Sequence, residues 1–264
     1  MHKQHFKWSA NDIAVALDDA HGVDVSRRTV QRDLRSLGGR HLVNIRIPAI
    51  SDPNVEKRLA FAKAWLKKGP DHEDWRKIVF SDETKKGCTD MDHSNWVLNG
   101  ENRLQVVKDR WAAKIHIWGF IGVGCRHLEL LPEGTIGKSE YSAMIKRVLG
   151  KKHKEWKQRH IWQQDNASPH REAAAWLKSK GFTVVEWPAN SPDLSPIENM
   201  WGILWRNIGK LGRCQDKQEI WNRSAKYWHQ ELPQTDIDNC ILSFRRRLEI
   251  CVERGGACIN GYYR

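Results

Sequence analysis

The sequence predicts an α/β domain with a mixed sheet, preceded by a small all-α helix-turn-helix unit. Two observations carry this. From residue 75 onward, short apolar runs bounded by turn residues alternate with amphipathic helical stretches, the pattern of a sheet covered by helices. Residues 9–38 instead show helical periodicity alone, broken once by a glycine-containing turn. With 264 residues, 40% of them hydrophobic and 14 of them Trp, the chain can fill one large core beside a small one.

In SANDIAVALDDAHGVDVSRRTVQRDLRSLG, Ile13 and Leu17 stand four apart on one helix face. Gly22 can take a positive φ and turn the chain. Ser26 reads as the N-cap of a second helix, Val30, Leu34 and Leu37 as its apolar stripe, and Gly38 as its stop. Two short helices around such a turn make a helix-turn-helix candidate. Away from the stripe stand Arg27, Arg28, Gln31, Arg32 and Arg35. Arg and Gln can read guanine and adenine edges in the major groove, and the same cations can simply hold phosphates. A solvated basic helix is the bland reading of this face. Residues 1–48 are assigned to this unit and 49–74 to a linker and connecting helix, with Leu59, Ala60, Ala62 and Trp65 of DPNVEKRLAFAKAWLKK facing a core. Residues 75–264 form the α/β domain.

Within that domain, WRKIVFSDET has the buried run Ile78-Val79-Phe80 and ends as a strand at Asp82. KIHIWGFIGVG (114–124) alternates as a strand does, and RHLELLPEG (126–134) pairs with it as a hairpin. KSEYSAMIKRVLG is an amphipathic helix through Tyr141, Ile145 and Val148. The basic run KKHKEWKQRH (151–160) reads by default as a solvated loop, with tracking of a DNA backbone or nuclear import as the alternatives. RHIWQQD is a short strand ending at Asp165, HREAAAWLKSKG a helix, FTVVEW (182–187) a strand, and a last helix starts at Pro196. The early strands are close enough in sequence to be antiparallel; the later ones are separated by helices and are parallel crossovers.

Formal net charge is +12 and the isoelectric point about 9.5, a balance that favours a polyanionic partner, nucleic acid first. The six cysteines include no C-x-x-C pair, which speaks against structural zinc, and their scatter fits reduced thiols. The amino-terminal stretch lacks the apolar core of a signal peptide, and the longest apolar run is far too short to cross a bilayer. A soluble intracellular protein with no membrane partner is expected.

Three acids stand at element ends: Asp82 and Asp165 after buried strands, where sites gather in open α/β sheets, and Glu198 at the mouth of a helix. Ser195-Pro196-Ile197-Glu198 also fits the S-x-x-E capping box with Pro at the first helical position, so Glu198 is either a cap or a ligand. Asp82 alone could be a strand-end cap, and Asp165 an Asx-turn with Asn166. Together the three could converge on Mg²⁺ or Mn²⁺, which prefer hard oxygen donors, and two such ions roughly 3.5–4 Å apart suit phosphodiester chemistry. Glu83 falls on the opposite face of its strand from Asp82 and stays outside the set. Asn166 and His170 either position DNA, support the site or shape a turn, and Trp187, Trp201 and Trp205 read as core.

FSDET with Asp82, QQDNASPH with Asp165 and WPANSPDLSPIENMWG with Glu198 together resemble the Tc1/mariner superfamily of DNA transposases, including relatives among bacterial insertion-sequence transposases. IHIWGFIGVG, KSEYSAMI and NWVLNGE (95–101) resemble further family segments, so the likeness runs from about residue 10 to the carboxyl terminus. It implies an RNase H-like catalytic fold and a DDE triad of Asp82, Asp165 and Glu198 binding two Mg²⁺ or Mn²⁺ ions. The 32 residues between Asp165 and Glu198 are slightly fewer than the family's usual gap. The implied chemistry is hydrolysis at transposon ends, then attack of the freed 3′-hydroxyl on target DNA at a TA dinucleotide, with no covalent protein intermediate. The implied partners are double-stranded terminal inverted repeats and a second copy of the chain; the implied compartment is the nucleus in a eukaryote and the cytoplasm in a bacterium. Family members carry two helix-turn-helix units, and the one found here resembles the second. The alternatives are a truncated or host-recruited DNA-binding protein without catalysis, or another metal-dependent nuclease on the same fold.

Overall fold

The computed structural model describes residues 10–38, 49–87, 114–134, 136–152, 154–212 and 214–259. The segment NWVLNGE and most of the expected linker at 40–50 lie outside them. The chain divides into two compact units, residues 1–46 and 47–264.

The first unit contains α1 (Ala10–His21) and α2 (Arg27–Ser36). Gly22 joins them with a φ of 64°, a left-handed value that costs glycine no Cβ clash. Ser26 caps α2 as expected: its hydroxyl accepts from the Thr29 amide at 3.2 Å. The apolar stripe is narrower than the spacing implied. Val30 is buried, but Leu34 is 40% and Leu37 83% exposed. Both lie toward the end of α2, where the described part of this unit offers only α1 as cover.

The second unit is built on a five-stranded sheet of order β3-β2-β1-β4-β5, with β1 at Ile78–Gly87, β2 at Lys114–Gly122, β3 at Cys125–Leu130, β4 at Ile161–Gln163 and β5 at Thr183–Val184. As the connection lengths require, β1–β2 and β2–β3 pair antiparallel, while β1–β4 and β4–β5 pair parallel. The fifth strand is shorter than FTVVEW suggested, because only Thr183 and Val184 find ladder partners at this edge.

Side-chain alternation splits the core in two. Ile78, Phe80, Ile115, Ile117 and Ile121 face one layer, and Val79, Trp118, Phe120 and Trp162 the other. The second layer is covered by α5 (Lys138–Gly150) and α7 (His170–Ser179). Between α5 and β4 the basic run forms a helix, α6 (Lys154–Arg159), rather than the expected loop. It has no buried residue, although the ring of Trp156 in it stacks on His160 at 4.1 Å.

The first layer is covered by α3 (Asp52–Leu66), α8 (Pro196–Lys210), α9 (Lys217–Lys226), α10 (Gln234–Leu242) and α11 (Phe244–Glu253), while a short α4 (Asp74–Lys77) leads into β1. The α3 helix packs within this unit against α11. Its core face differs from the expected one: Ala62 is fully buried, but so is Arg58, while Ala60 is exposed. Arg58 crosses to Asp193 in a bidentate pair at 2.8 and 2.7 Å, and also donates to the Gly256 carbonyl at 2.8 Å. Arg247 donates to the Asp193 carbonyl at 3.0 Å. This network anchors the short 3₁₀ turn Pro192–Leu194 that leads into α8. Among the described residues no helix is long and apolar enough to cross a membrane.

Candidate active site

Parallel pairing of β1 with β4 matches Phe80 to Gln163. Asp82 and Asp165 each lie two residues further along, so the register sets the two acids side by side. Glu198 arrives on the first turn of α8, and all three line one open cavity of about 400 Å³. Much of its remaining wall is the segment from Trp187 to Pro192, in which Asn190 holds a positive φ of 53°. Short polar Asn tolerates that conformation better than most residues.

Glu198 is not held as a cap. Ser195 occupies the N-cap position with Pro196 after it, yet its side chain makes no capping hydrogen bond, and its hydroxyl is buried without a partner. The carboxylate of Glu198 is left facing the cavity.

Strand alternation sends neighbouring acids opposite ways. Asp82 faces α8, where the Trp201 indole N–H donates to its Oδ2 at 3.1 Å. Glu83 faces α7, where it meets His170 Nε2 at 3.1 Å, as its place outside the acidic set required. The other imidazole nitrogen, Nδ1, pairs with Asp165 Oδ1 at 2.5 Å, and the same oxygen accepts from the Ala167 amide at 2.9 Å. His170 therefore bridges two carboxylates, with the ring of Tyr141 stacked on it at 4.1 Å. Asn166 turns away and donates to the Trp187 carbonyl at 2.6 Å, a loop-shaping contact.

The charges respond accordingly. Burial pushes Asp82 well above the ordinary carboxylate range, and repulsion from Glu198 and Glu83 adds to it, against hydrogen bonds from the Glu83 backbone and Trp201. Desolvation raises Glu198 as well. Burial would raise Asp165, but hydrogen bonds from His170 and Ala167 bring it below its usual value. Burial would lower His170, yet Asp165 and Glu83 carry it up to about 10, so it is an imidazolium at neutral pH. Among the described residues no cation pairs with Asp82 or Glu198, and oxygen donors of this kind suit a hard divalent ion. Among the described residues no three acidic, His or Cys side chains close on one point.

The basic face of α2 is where the sequence put it. Arg27, Arg28, Arg32 and Arg35 are exposed and Gln31 is half-buried beside Val30. Arg32 makes an exposed pair with Asp33, a contact that water screens. Sequence reasoning missed the role of Trp201, because a Trp pair at i, i+4 has the signature of core packing whether or not the indole N–H has work to do. It also missed Arg58, whose partner lies 135 residues away.

A family model described as DDE superfamily endonuclease matches residues 77–221, more than half of the chain. A second, described as transposase, matches residues 3–67. Over 263 residues the chain is 27% identical to the transposable element Tcb2 transposase of Caenorhabditis briggsae and 26% to the Tc1 transposase of Caenorhabditis elegans, covering 94% of this chain and 93% of each relative. Among solved structures, the mariner Mos1 paired end complex with Mg contains a chain similar at a TM-score of 0.77 and 20% identity, covering 97% of this chain and 81% of that one. The corresponding complex with Mn gives 0.76 at 21%, with the same coverage. These last two likenesses are of fold.

Proposed function

The chain belongs to the DDE superfamily of endonucleases, in its Tc1/mariner branch with an RNase H-like catalytic domain, and from that premise we propose that Asp82, Asp165 and Glu198 are its catalytic acids. As a DDE-type transposase it cleaves DNA and transfers strands. The observation that carries the residue assignment is the β1–β4 register, which sets Asp82 and Asp165 side by side near a Glu198 that no cap or cation among the described residues holds.

Two divalent ions, Mg²⁺ or Mn²⁺, would be held by these acids, and when bound they supply the charge that activates the attacking hydroxyl and stabilises the leaving oxygen. The pairing of Mos1 with Mg and with Mn supports this reading. Asp165 enters already ionised, because His170 and Ala167 hold its Oδ1. Asp82 and Glu198 contribute the negative charge that the free protein leaves uncompensated. Exposed Arg27, Arg28, Arg32 and Arg35 on α2, with half-buried Gln31 between them, suit a DNA duplex, with phosphates fixing register and one or two of these side chains reading base edges. The substrates are the element's terminal inverted repeats and a TA target, and two copies of the chain act together, as the paired ends of the Mos1 complexes suggest.

The test is cleavage of a duplex carrying the element's own ends by the full chain with Mg²⁺ or Mn²⁺. Asp82→Asn, Asp165→Asn and Glu198→Gln are each expected to lose on the order of a thousandfold or more in rate with duplex binding retained. Cleavage that persists in all three variants contradicts the assignment. Duplex binding with no cleavage by the wild type under either ion supports the catalytically silent DNA-binding protein instead.

A further inference from the structure

We infer that Trp201 is a positioning residue for the catalytic centre: its indole N–H fixes the orientation of the Asp82 carboxylate, and Gly119 is the clearance that lets it do so. The inference rests on Asp82 being a cation ligand.

Trp201 is 3% exposed, so its ring has little freedom. One face stacks on Trp228 with centroids 5.0 Å apart and planes 26° from parallel. Trp228 is fully buried and sits in a π-helical turn, Tyr227–Glu231, a departure from α-helical winding that recurs near functional sites. The indole offers one polar atom, and it is a donor only. That atom lies 3.1 Å from Asp82 Oδ2. The donor therefore selects one carboxylate oxygen and sets the plane in which the lone pairs of the other lie. Loss of a partner that orients a ligand in this way typically costs about ten- to a hundredfold in metal affinity.

Gly119 lies directly across the β1–β2 ladder from Asp82. A Cβ built there would stand 2.9 Å from Trp201 Cη2 and 2.8 Å from the His127 carbonyl oxygen. Both approaches are closer than a real Cβ tolerates, so a side chain at 119 would displace the indole, the β2–β3 backbone or both.

The arrangement also ties Asp82 to Glu198. Trp201 follows Glu198 by three residues, so one turn of α8 both presents one acid and holds the other. A second link fixes the helix along its axis: Trp205 Nε1 donates to Thr84 Oγ1 at 3.1 Å. Four residues of helix advance about 6 Å and two residues of strand about 6.6–6.8 Å. The two indoles thus meet alternate residues of β1 in step, and a slip of α8 would break both bonds at once.

The experiment is calorimetric Mn²⁺ titration of the full-length wild type and Trp201→Phe, each alone and with a short DNA duplex. Phe keeps a ring against Trp228 and removes the N–H. Should that chain not fold, benzothienylalanine at 201 keeps the bicyclic ring with sulfur in place of N–H. The expected result is Mn²⁺ affinity about ten- to a hundredfold weaker in the variant, with duplex binding in the absence of Mn²⁺ unchanged. Gly119→Ala should weaken Mn²⁺ binding in the same direction. A purely structural Trp would lower the melting temperature and leave the Mn²⁺ affinity of the folded variant where it was, and that result overturns the inference while the acid assignment stands. If the wild type binds no Mn²⁺ with or without duplex, the acid assignment falls and the inference falls with it.

Discussion

Asp193 and Glu198 stand five residues apart on one segment and receive opposite treatment. The Asp193 side chain is 1% exposed, and Arg58 grips both of its oxygens while the Ile259 amide donates at 2.8 Å. Burial would raise its pKa; Arg58 and the amide overcome that and bring it below the usual value. Glu198, and Asp82 lining the same cavity, have no such cation among the described residues and are pushed up. The same fold that neutralises a buried acid leaves half-buried Asp82 and exposed Glu198 beside an open cavity without a cationic partner among the described residues. An acid that its own chain compensates is structural, and acids left uncompensated at one place mark where a cation from solution lowers the energy.

The largest effect should come from breaking the compensated pair. Asp193→Ala strands the Arg58 guanidinium in the core, and unfolding in urea should show a loss of about 3–5 kcal/mol. Replacing both partners together, with Arg58→Met and Asp193→Leu, should cost much less, because a buried pair roughly repays its own desolvation. A double variant as unstable as the single one would mean the network does more than cancel charge.

The uncompensated acids should behave in the opposite sense. In cation-free buffer Asp82→Asn removes a strained charge and is expected to raise the melting temperature by about 2–4 °C, on the order of 1 kcal/mol for a unit of this size, while abolishing cleavage. Calorimetric scans showing a lower melting temperature would contradict the charge account of the site.

His170 lies between the two cases, a cation shared by a cavity acid and a sheet acid. Its pKa is raised to about 10, so the stability it contributes is present in full below its ordinary value of 6.5 and is lost as pH rises through about 10. The urea midpoint of the wild type should fall over that interval and that of His170→Gln should stay flatter. Parallel curves would show that the bridge contributes no net stability.

Much of this was legible in the sequence, for definite reasons. Asp82 and Asp165 follow the apolar runs Ile78-Val79-Phe80 and Ile161-Trp162, where burial gives way to polar residues; the expected end of β1 at Asp82 was wrong, because pairing with β2 carries the strand on to Gly87. Alternation then separates Asp82 from Glu83 without any coordinates. Long-range choices were illegible. S-x-x-E marks a capping box only if the Ser hydroxyl turns to the helix amides, and here it does not. Arg58 sits in a helical pattern as any surface cation does, until Asp193 arrives from another part of the chain. The stripe on α2 looked wide enough for Leu34 and Leu37, but a spacing states which side chains share a face, not whether anything covers that face.

The central claim is that Glu198 is left unpaired in order to hold a cation. The most direct measurement is calorimetric Mn²⁺ titration of the wild type and Glu198→Gln in the presence of DNA duplex, which supplies any phosphate oxygens the second ion needs. The account predicts that the wild type binds and the variant loses one site or weakens by at least about tenfold. Equal binding by the two proteins would contradict it.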